Sequence, residues 1–382
     1  MLPSISEIKE IAKSGEYTTM PVYDEMLSDI KTPVEVMKIL LNASEHCFML
    51  ESVSDNENWG RYTFLGFAPK LEITCTNGRM KINETEFYTD NPESYIRKIL
   101  ADYKSPAIDA LPSFTGGLVG YFSYDYLKYA EPTLRLDAKD SEGFKDVDLM
   151  LFDKVITFDN FRQKIILIVN ISLDDIENEC KRAEIELSQL KELIAAGRPK
   201  ENLSGKMTTD IKPLFSREEY CEMVEKAKRH IFEGDIFQIV LSNRLEARFE
   251  GSLFNTYRIL RTLNPSPYMF YFSGSDMEVA GASPETLVKL ERGVLHTFPL
   301  AGTRPRGKTA KEDAELEKEL LSDEKELAEH NMLVDLGRND IGKISKIGTV
   351  ELEKYKSIEK FSHVMHIGST VKGDIREDKD FM

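Results

Sequence analysis

The sequence predicts large antiparallel sheets with helices laid against them, and three observations carry that prediction. From about residue 17 to 170, β-branched and aromatic runs alternate with Asn, Gly and Pro turns. One charged helix, roughly 173–196, follows those runs. The last third opens on a second helix and continues in further strands and helices. At 382 residues the chain exceeds one average hydrophobic core, so two domains or one large interlocked body is expected.

The strand candidates of the first block are "HCFMLESV", "RYTFLGF", "LEITCT", "GGLVGYFSY", "DLMLFDKVITFD" and "KIILIVNI". After the charged helix, "AAGRPKENLSGKMTTDIKP" gathers Gly, Pro, Ser and Lys without hydrophobic periodicity and reads as a linker. Ser216 and Glu219 have capping-box spacing, and Tyr220, Val224, Ala227 and Ile231 recur at helical intervals until Gly234. This predicts a helix from 216 to about 233. "DIFQIVLSNRLEARF" alternates like a strand, with Gln238 the odd polar residue on its face. "YMFYFSG", "EVAGASPETLVKL" and "VLHTFPLAG" read as strands, and the stretch from Lys311 to Asp340 reads as helix broken near Ser322 and Asp323.

Composition narrows the function. Hydrophobic residues at 41% and charged residues at 30% are ordinary for a soluble globular protein. A net charge of -16 disfavours nucleic acid or an anionic membrane as partner. The polar opening lacks signal-peptide character, and no run of 18 apolar residues occurs, which predicts a cytoplasmic protein. Cys47, Cys75, Cys180 and Cys221 are scattered and are expected to be reduced.

Against this acidic background "TFPLAGTRPRGK" is a local basic cluster. It is either a solvated turn with salt-bridged arginines or an anion site. Gly302 and Gly307 would let backbone N–H groups approach a ligand, Thr303 offers a hydroxyl, and the arginines could neutralise carboxylates or hold acidic side chains in the site wall. In "HVMH", strand-like alternation sends His363 and His366 to opposite faces, so at most one faces a site. Glu329 falls on a helical stripe with Leu333 and Leu336, where a carboxylate calls for a cation. An oxygen-only donor there suits Mg²⁺ better than zinc, whereas membership of a solvated stripe with Lys325 and Glu326 is the plain alternative. Glu285 follows the Gly, Ser and Pro that end a strand, where loops deliver catalytic groups, or it serves a helix N-terminus. With Gln238 these residues describe a pocket for a small polyanion bound through Mg²⁺.

At these residues the chain resembles the large, chorismate-binding component of anthranilate synthase. The likeness rests on "GDIFQIVLSNR", "NPSPYMFYF", "GASPETLV", "FPLAGTRPRGK", "DEKELAEHNMLVDLGRNDIGKI" and "KFSHVMHI", with "MLESV", "GRYTFLGFAP" and "FTGGLVGYFSYD" in the first half. The resemblance implies an α+β fold of large antiparallel sheets. It also implies conversion of chorismate and ammonia to anthranilate and pyruvate through 2-amino-2-deoxyisochorismate, with a glutamine amidotransferase subunit supplying the ammonia. It makes Glu329 a Mg²⁺ ligand, Glu285 the general acid, His366 the histidine of the pyruvate-eliminating step, and Ala301, Gly302 and Thr303 pocket residues, with His363 structural.

Gln238 stands where water-adding relatives carry a lysine base, and Ala301 where para-aminobenzoate-pathway relatives carry lysine. Gln238 favours the amination branch and, within it, Ala301 favours anthranilate, with aminodeoxychorismate synthase component I as the alternative. L-Tryptophan as feedback inhibitor is implied at Glu51, Ser52, Asn264, Pro267, Tyr268 and Met269. Residues 1–205 would form the region bearing that segment and 206–382 the chorismate-binding region. The chain stops at "REDKDFM", before the family's segment with the second Mg²⁺ glutamate. The resemblance therefore implies a truncated chain with exposed strand edges that does not turn over by itself, a noncatalytic tryptophan binder being the other reading.

Overall fold

The alternating runs of the first block pair into two sheets. A computed structural model of the chain describes residues 1–52, 60–134 and 140–382, so Val53, at the end of "HCFMLESV", lies outside the described residues. A seven-stranded antiparallel sheet runs in the order Thr19–Leu27, Lys164–Ser172, Lys154–Asp159, Tyr62–Phe67, Cys47–Glu51, Tyr268–Ser273 and Glu278–Ser283. Its last two strands come from the final third of the chain, so the sheet joins distant segments. A five-stranded sheet carries Thr85–Tyr88, Arg79–Ile82, Leu71–Thr76, Val147–Phe152 and Gly117–Phe122. Phe48 and Phe272 of the first sheet and Met150 and Phe152 of the second form one buried cluster. Phe48 meets Phe152 edge to face at 4.7 Å.

The charged helix spans Ile176–Ala196, capped by Asp175 accepting from the Asn178 N–H. It buries Cys180, Ala183, Leu187, Leu190 and Ile194, the three-and-four spacing of a helix laid on a sheet.

A third antiparallel sheet runs Lys289–Glu291, Val294–Thr297, Val364–Asp374 and Leu300–Pro305, and Glu351–Lys360 also pairs with Val364–Asp374. "VLHTFPLAG" is thus two strands, and the Pro299 carbonyl between them accepts from the Ser369 N–H at 3.1 Å. The helices Ala310–Leu320 and Glu324–Ile344 flank this sheet, with Asp323 at the break capping the second by accepting from the Lys325 and Glu326 N–H groups. The buried residues of Glu324–Ile344 are His330, Val334 and Ile341. The sequence reading that set Glu329 on the core stripe with Leu336 is therefore corrected by rotation of the helix: Leu336 is 51% exposed.

The described residues form two compact units, Met1–Lys200 with Leu260–Met382, and Glu201–Ile259. In the second, the helix Arg217–Glu233 has the reciprocal Ser216–Glu219 capping box and ends at Gly234 with φ 84°. Two short pairings, Gly205–Met207 with Phe249–Gly251 and Lys212–Pro213 with Leu245–Glu246, complete it. The strand expected over "DIFQIVLSNRLEARF" is a correction. Residues 236–244 belong to no strand, and Phe237 and Val240 are 91% and 86% exposed. Single contacts replace the ladder here. Asn243 uses its side-chain amide to accept from the Phe215 N–H at 3.0 Å and to donate to the Phe215 carbonyl at 3.1 Å, and the Tyr220 hydroxyl donates to the Leu241 carbonyl at 3.0 Å. No helix among the described residues is long and apolar enough to cross a membrane.

Candidate active site

The basic cluster sits on Leu300–Pro305, an edge that pairs with Val364–Asp374 through Ala301 opposite Ile367 and Thr303 opposite His366. Two residues advance on one strand and one on the other, so Gly302 is the extra residue of a bulge, with φ 72°. Only glycine takes that conformation without strain. A Cβ at Gly302 would stand 3.1 Å from Leu320 Cδ1 and 3.2 Å from Glu326 Oε2, so the bulge also lets the helix close on the strand. The bulge turns the Gly302 carbonyl toward His366, whose Nδ1 lies 3.0 Å from it and 3.1 Å from Thr303 Oγ1. A carbonyl oxygen only accepts, so Nδ1 carries the proton and Nε2 keeps its lone pair. Phe361 meets the imidazole edge to face at 5.5 Å. His366 is half-buried, Thr303 exposed and Ala301 buried.

His363 precedes the strand, its Nδ1 2.9 Å from Ser362 Oγ, and its carbonyl accepts from the Arg306 N–H at 3.0 Å. It braces the strand end.

The two arginines hold the helices. Arg306 grips Asp313 with two parallel bonds of 2.9 and 3.0 Å and donates to the Phe361 carbonyl at 2.7 Å. Arg304 donates to Asp323 at 2.8 Å and to Glu319 at 3.1 Å. Arg306, the Gly307 N–H and Lys360 together hold the Asp313 carboxyl well below the usual carboxylate range. The arginines thus hold acidic side chains, one of the two roles expected of them, with Arg306 also lining a cavity with Pro284 and Thr286, whereas the reading in which Gly307 meets a ligand gives way. The Gly307 N–H is spent on Asp313 Oδ1 at 2.8 Å, and a Cβ there would strike the Asp313 backbone N at 2.3 Å.

Glu329 is half-buried on Glu324–Ile344, and Glu326 stands one turn before it. The Glu326 side chain, 17% exposed, has Arg304 Nη1 3.8 Å away. Sequence reasoning had left Glu326 in a solvated stripe, although its three-residue spacing from Glu329 was the signal that both carboxylates share a helix face. Two carboxylates with oxygen donors fit a hard divalent cation such as Mg²⁺. The neighbouring His330 takes no part. It is buried, its Nε2 lies 2.7 Å from Ser369 Oγ, and burial pushes its imidazole pKa down.

Glu285 is exposed in the loop after Glu278–Ser283. Its N–H donates to Ser283 Oγ, and the Ser283 hydroxyl donates to its carbonyl, both at 3.3 Å. Its neighbours Pro284 and Thr286 line a cavity of about 660 Å³, together with Leu300, Gly368 and Ser369 of the third sheet and with Pro267 and Tyr268. The cavity thus touches the loop of Glu285, the strand pair of His366 and the segment that bears Tyr268, but Glu285, His366 and Glu329 themselves are not among its described lining residues. Gln238 is exposed and belongs to the other unit. That unit also carries, unanticipated, His230, Glu233 and Asp235, whose ligand atoms lie within 4.8 Å of one another, with His230 Nδ1 2.8 Å from Asp235.

The residues tied to tryptophan come together in part. Met269 pairs with Glu51 across neighbouring strands, Ser52 follows directly, and Tyr268 precedes Met269. Glu51 is 8% exposed and its carboxylate accepts from Arg261 Nη2 at 2.7 Å. Met269 is buried, Pro267 half-buried, and Asn264 exposed, with its N–H on the Leu260 carbonyl at 2.9 Å. On the opposite face of the same strands, Leu50, Phe270 and Phe272 line an apolar cavity of about 560 Å³.

Residues 45–382 match the family described as chorismate binding enzyme. The chain is 41% identical over 389 residues to anthranilate synthase component 1 of Acetivibrio thermocellus, covering 99% of this chain and 78% of that protein. It is likewise 41% identical over 394 residues to that of Acinetobacter calcoaceticus, covering 99% and 78%. Among solved structures, anthranilate synthase component I from Streptococcus pneumoniae TIGR4 superposes with a TM-score of 0.73 at 35% identity, covering 86% of this chain and 71% of that one.

Proposed function

The chain belongs to the chorismate-binding enzyme family, with anthranilate synthase component 1 proteins as its relatives, and from that premise we propose that it converts chorismate and ammonia to anthranilate and pyruvate. Glu285, protonated, gives its proton to the C4 hydroxyl of chorismate, which leaves as water while ammonia bonds to C2 and sheds a proton. Ammonia needs no base to become a nucleophile, which agrees with glutamine at position 238. Alanine at 301, small and buried, supports the anthranilate branch.

The product of this addition, 2-amino-2-deoxyisochorismate, loses its C2 proton to His366 Nε2. The electron pair of that C–H bond completes the aromatic ring as the C3–O bond breaks, and the released enolpyruvate takes up a proton to become pyruvate. The observation that carries this reading is the Gly302 bulge, because its carbonyl fixes the Nδ1–H tautomer and leaves Nε2 basic. Thr303 Oγ1 adds a second contact to the same ring. Glu329, with Glu326 beside it, would hold Mg²⁺, which when bound supplies positive charge for a chorismate carboxylate.

In the same reading a glutamine amidotransferase subunit delivers ammonia, the protein works in the cytoplasm, and residues 1–205 contribute the regulatory segment while 206–382 carry the chemistry. L-Tryptophan binds at Glu51, Ser52, Asn264, Pro267, Tyr268 and Met269 and inhibits. The Glu51 carboxylate, already paired with Arg261, would accept a tryptophan ammonium by loosening that pair. The test supplies chorismate, Mg²⁺ and ammonium and reads anthranilate fluorescence, beside calorimetry of chorismate binding. Expected are chorismate binding that requires Mg²⁺ and falls at least tenfold in Glu329→Gln, with anthranilate as the product wherever turnover is seen. Isochorismate as product, or chorismate binding indifferent to both Mg²⁺ and Glu329→Gln, overturns the reading.

A further inference from the structure

Thr286 follows Glu285 directly, and its Oγ1 lies 2.5 Å from the phenol oxygen of Tyr268. Tyr268 opens its strand between two neighbours. On one side it pairs with Ser283, the residue whose hydroxyl holds the Glu285 backbone, and on the other its next residue, Met269, pairs with Glu51. Pro284 and Thr286 share a cavity wall with Pro267 and Tyr268.

The loop bearing Glu285 is thus tied at two points. One tie, from Ser283 to the Glu285 backbone, anchors the start of the loop to the strand Glu278–Ser283. The other, Tyr268 to Thr286, fastens the loop to the strand end that carries Met269. A prolyl residue lies two before Thr286 and one before Tyr268, restricting the backbone on both sides of this tie.

We propose that the Tyr268–Thr286 hydrogen bond is a clip that positions Glu285 and carries a displacement of the Glu51–Met269 strand pair to the catalytic loop. Tyr268 and Thr286 are positioning residues, and the regulatory half rests on the tryptophan reading above. A ligand shifts the loop only if it binds the clipped and unclipped states with different affinity. Those two states would be the intact and the broken contact, since the Met269 strand end cannot move far without stretching the 2.5 Å bond.

The experiment is hydrogen–deuterium exchange of peptides spanning residues 283–288, with and without saturating L-tryptophan, beside calorimetric titration of tryptophan. In the unaltered chain tryptophan is expected to change exchange there about fivefold or more, the scale of one hydrogen bond. Thr286→Val keeps tryptophan binding but loses that response, and Tyr268→Phe and Thr286→Val each raise basal exchange about fivefold, while Thr286→Ser keeps the unaltered behaviour. A response of equal size in Thr286→Val, with tryptophan bound, overturns the clip and leaves the regulatory site standing. If tryptophan does not bind the unaltered chain, the regulatory reading fails and basal exchange decides the positioning role alone. A double variant no faster than either single variant supports it, whereas additive or absent effects overturn it.

Discussion

The strand Val364–Asp374 and residues 236–241 alternate in the same way in sequence, yet only the first is a strand. Val364–Asp374 has Leu300–Pro305 along one side and Glu351–Lys360 along the other, so its backbone groups are paired across nearly its whole length. Residues 236–241 have no ladder among the described residues. Alternation therefore reports that a segment suits a pleated surface, whereas the strand itself requires a partner within reach. The most direct way to break the comparison is amide exchange. Amides of residues 365–371 are expected to exchange at least about a thousandfold more slowly than those of 236–241. Equal protection would mean that the second segment finds a ladder in solution.

What pairing on both sides achieves at the site is sharpened by His366→Asn. The shorter amide can still donate to the Gly302 carbonyl, but it offers no basic nitrogen. Turnover of 2-amino-2-deoxyisochorismate is expected to fall about a hundredfold or more, the scale of general-base catalysis, with little change in melting temperature. A drop in melting temperature that accounts for the lost activity would recast His366 as a structural residue. Gly302→Ala tests the bulge beneath it. The new methyl needs positive φ and meets Leu320 and Glu326 at 3.1 and 3.2 Å, so destabilisation of about 1–3 kcal/mol is expected in denaturant unfolding. A neutral outcome would show that the bulge can flatten.

The same contrast explains what could be read from the chain. The capping box at Ser216, the break at Ser322 and Asp323, and the strand holding His366 were legible because each depends on neighbours in sequence. The position of Tyr268–Ser273 inside the first sheet, next to Cys47–Glu51, was not, since no local signal states which distant strand lies alongside. Nor was the rotation of Glu324–Ile344, where His330 rather than Glu329 faces the core. A histidine with a hydroxyl partner can be buried at lower cost than a carboxylate, and periodicity does not distinguish the two stripes. The arginines illustrate the limit in chemistry. "TRPRGK" announced positive charge but not that Asp313 and Asp323, 7 and 19 residues downstream of Arg306 and Arg304, would consume it.

That consumed charge gives the smallest expected effect and the finest probe of the helix edge. Asp313 has its folded pKa depressed by Arg306, the Gly307 N–H and Lys360. A depressed carboxylate contributes stability at pH values above its unfolded pKa, about 4, and loses that contribution as pH falls through the folded value. Asp313→Asn should therefore lower the melting temperature by a constant few degrees near pH 7. The difference from the unaltered chain should shrink steadily below about pH 4, because the unfolded chain then takes up a proton at 313 that the folded chain still excludes. Asp313 is only 7% exposed, so salt should screen the attraction little and the difference at pH 7 should persist at high ionic strength. A gap that stays constant down to pH 2 would assign the effect to the Gly307 N–H bond, which an asparagine oxygen keeps only in part, and not to the charge of the Arg306 pair.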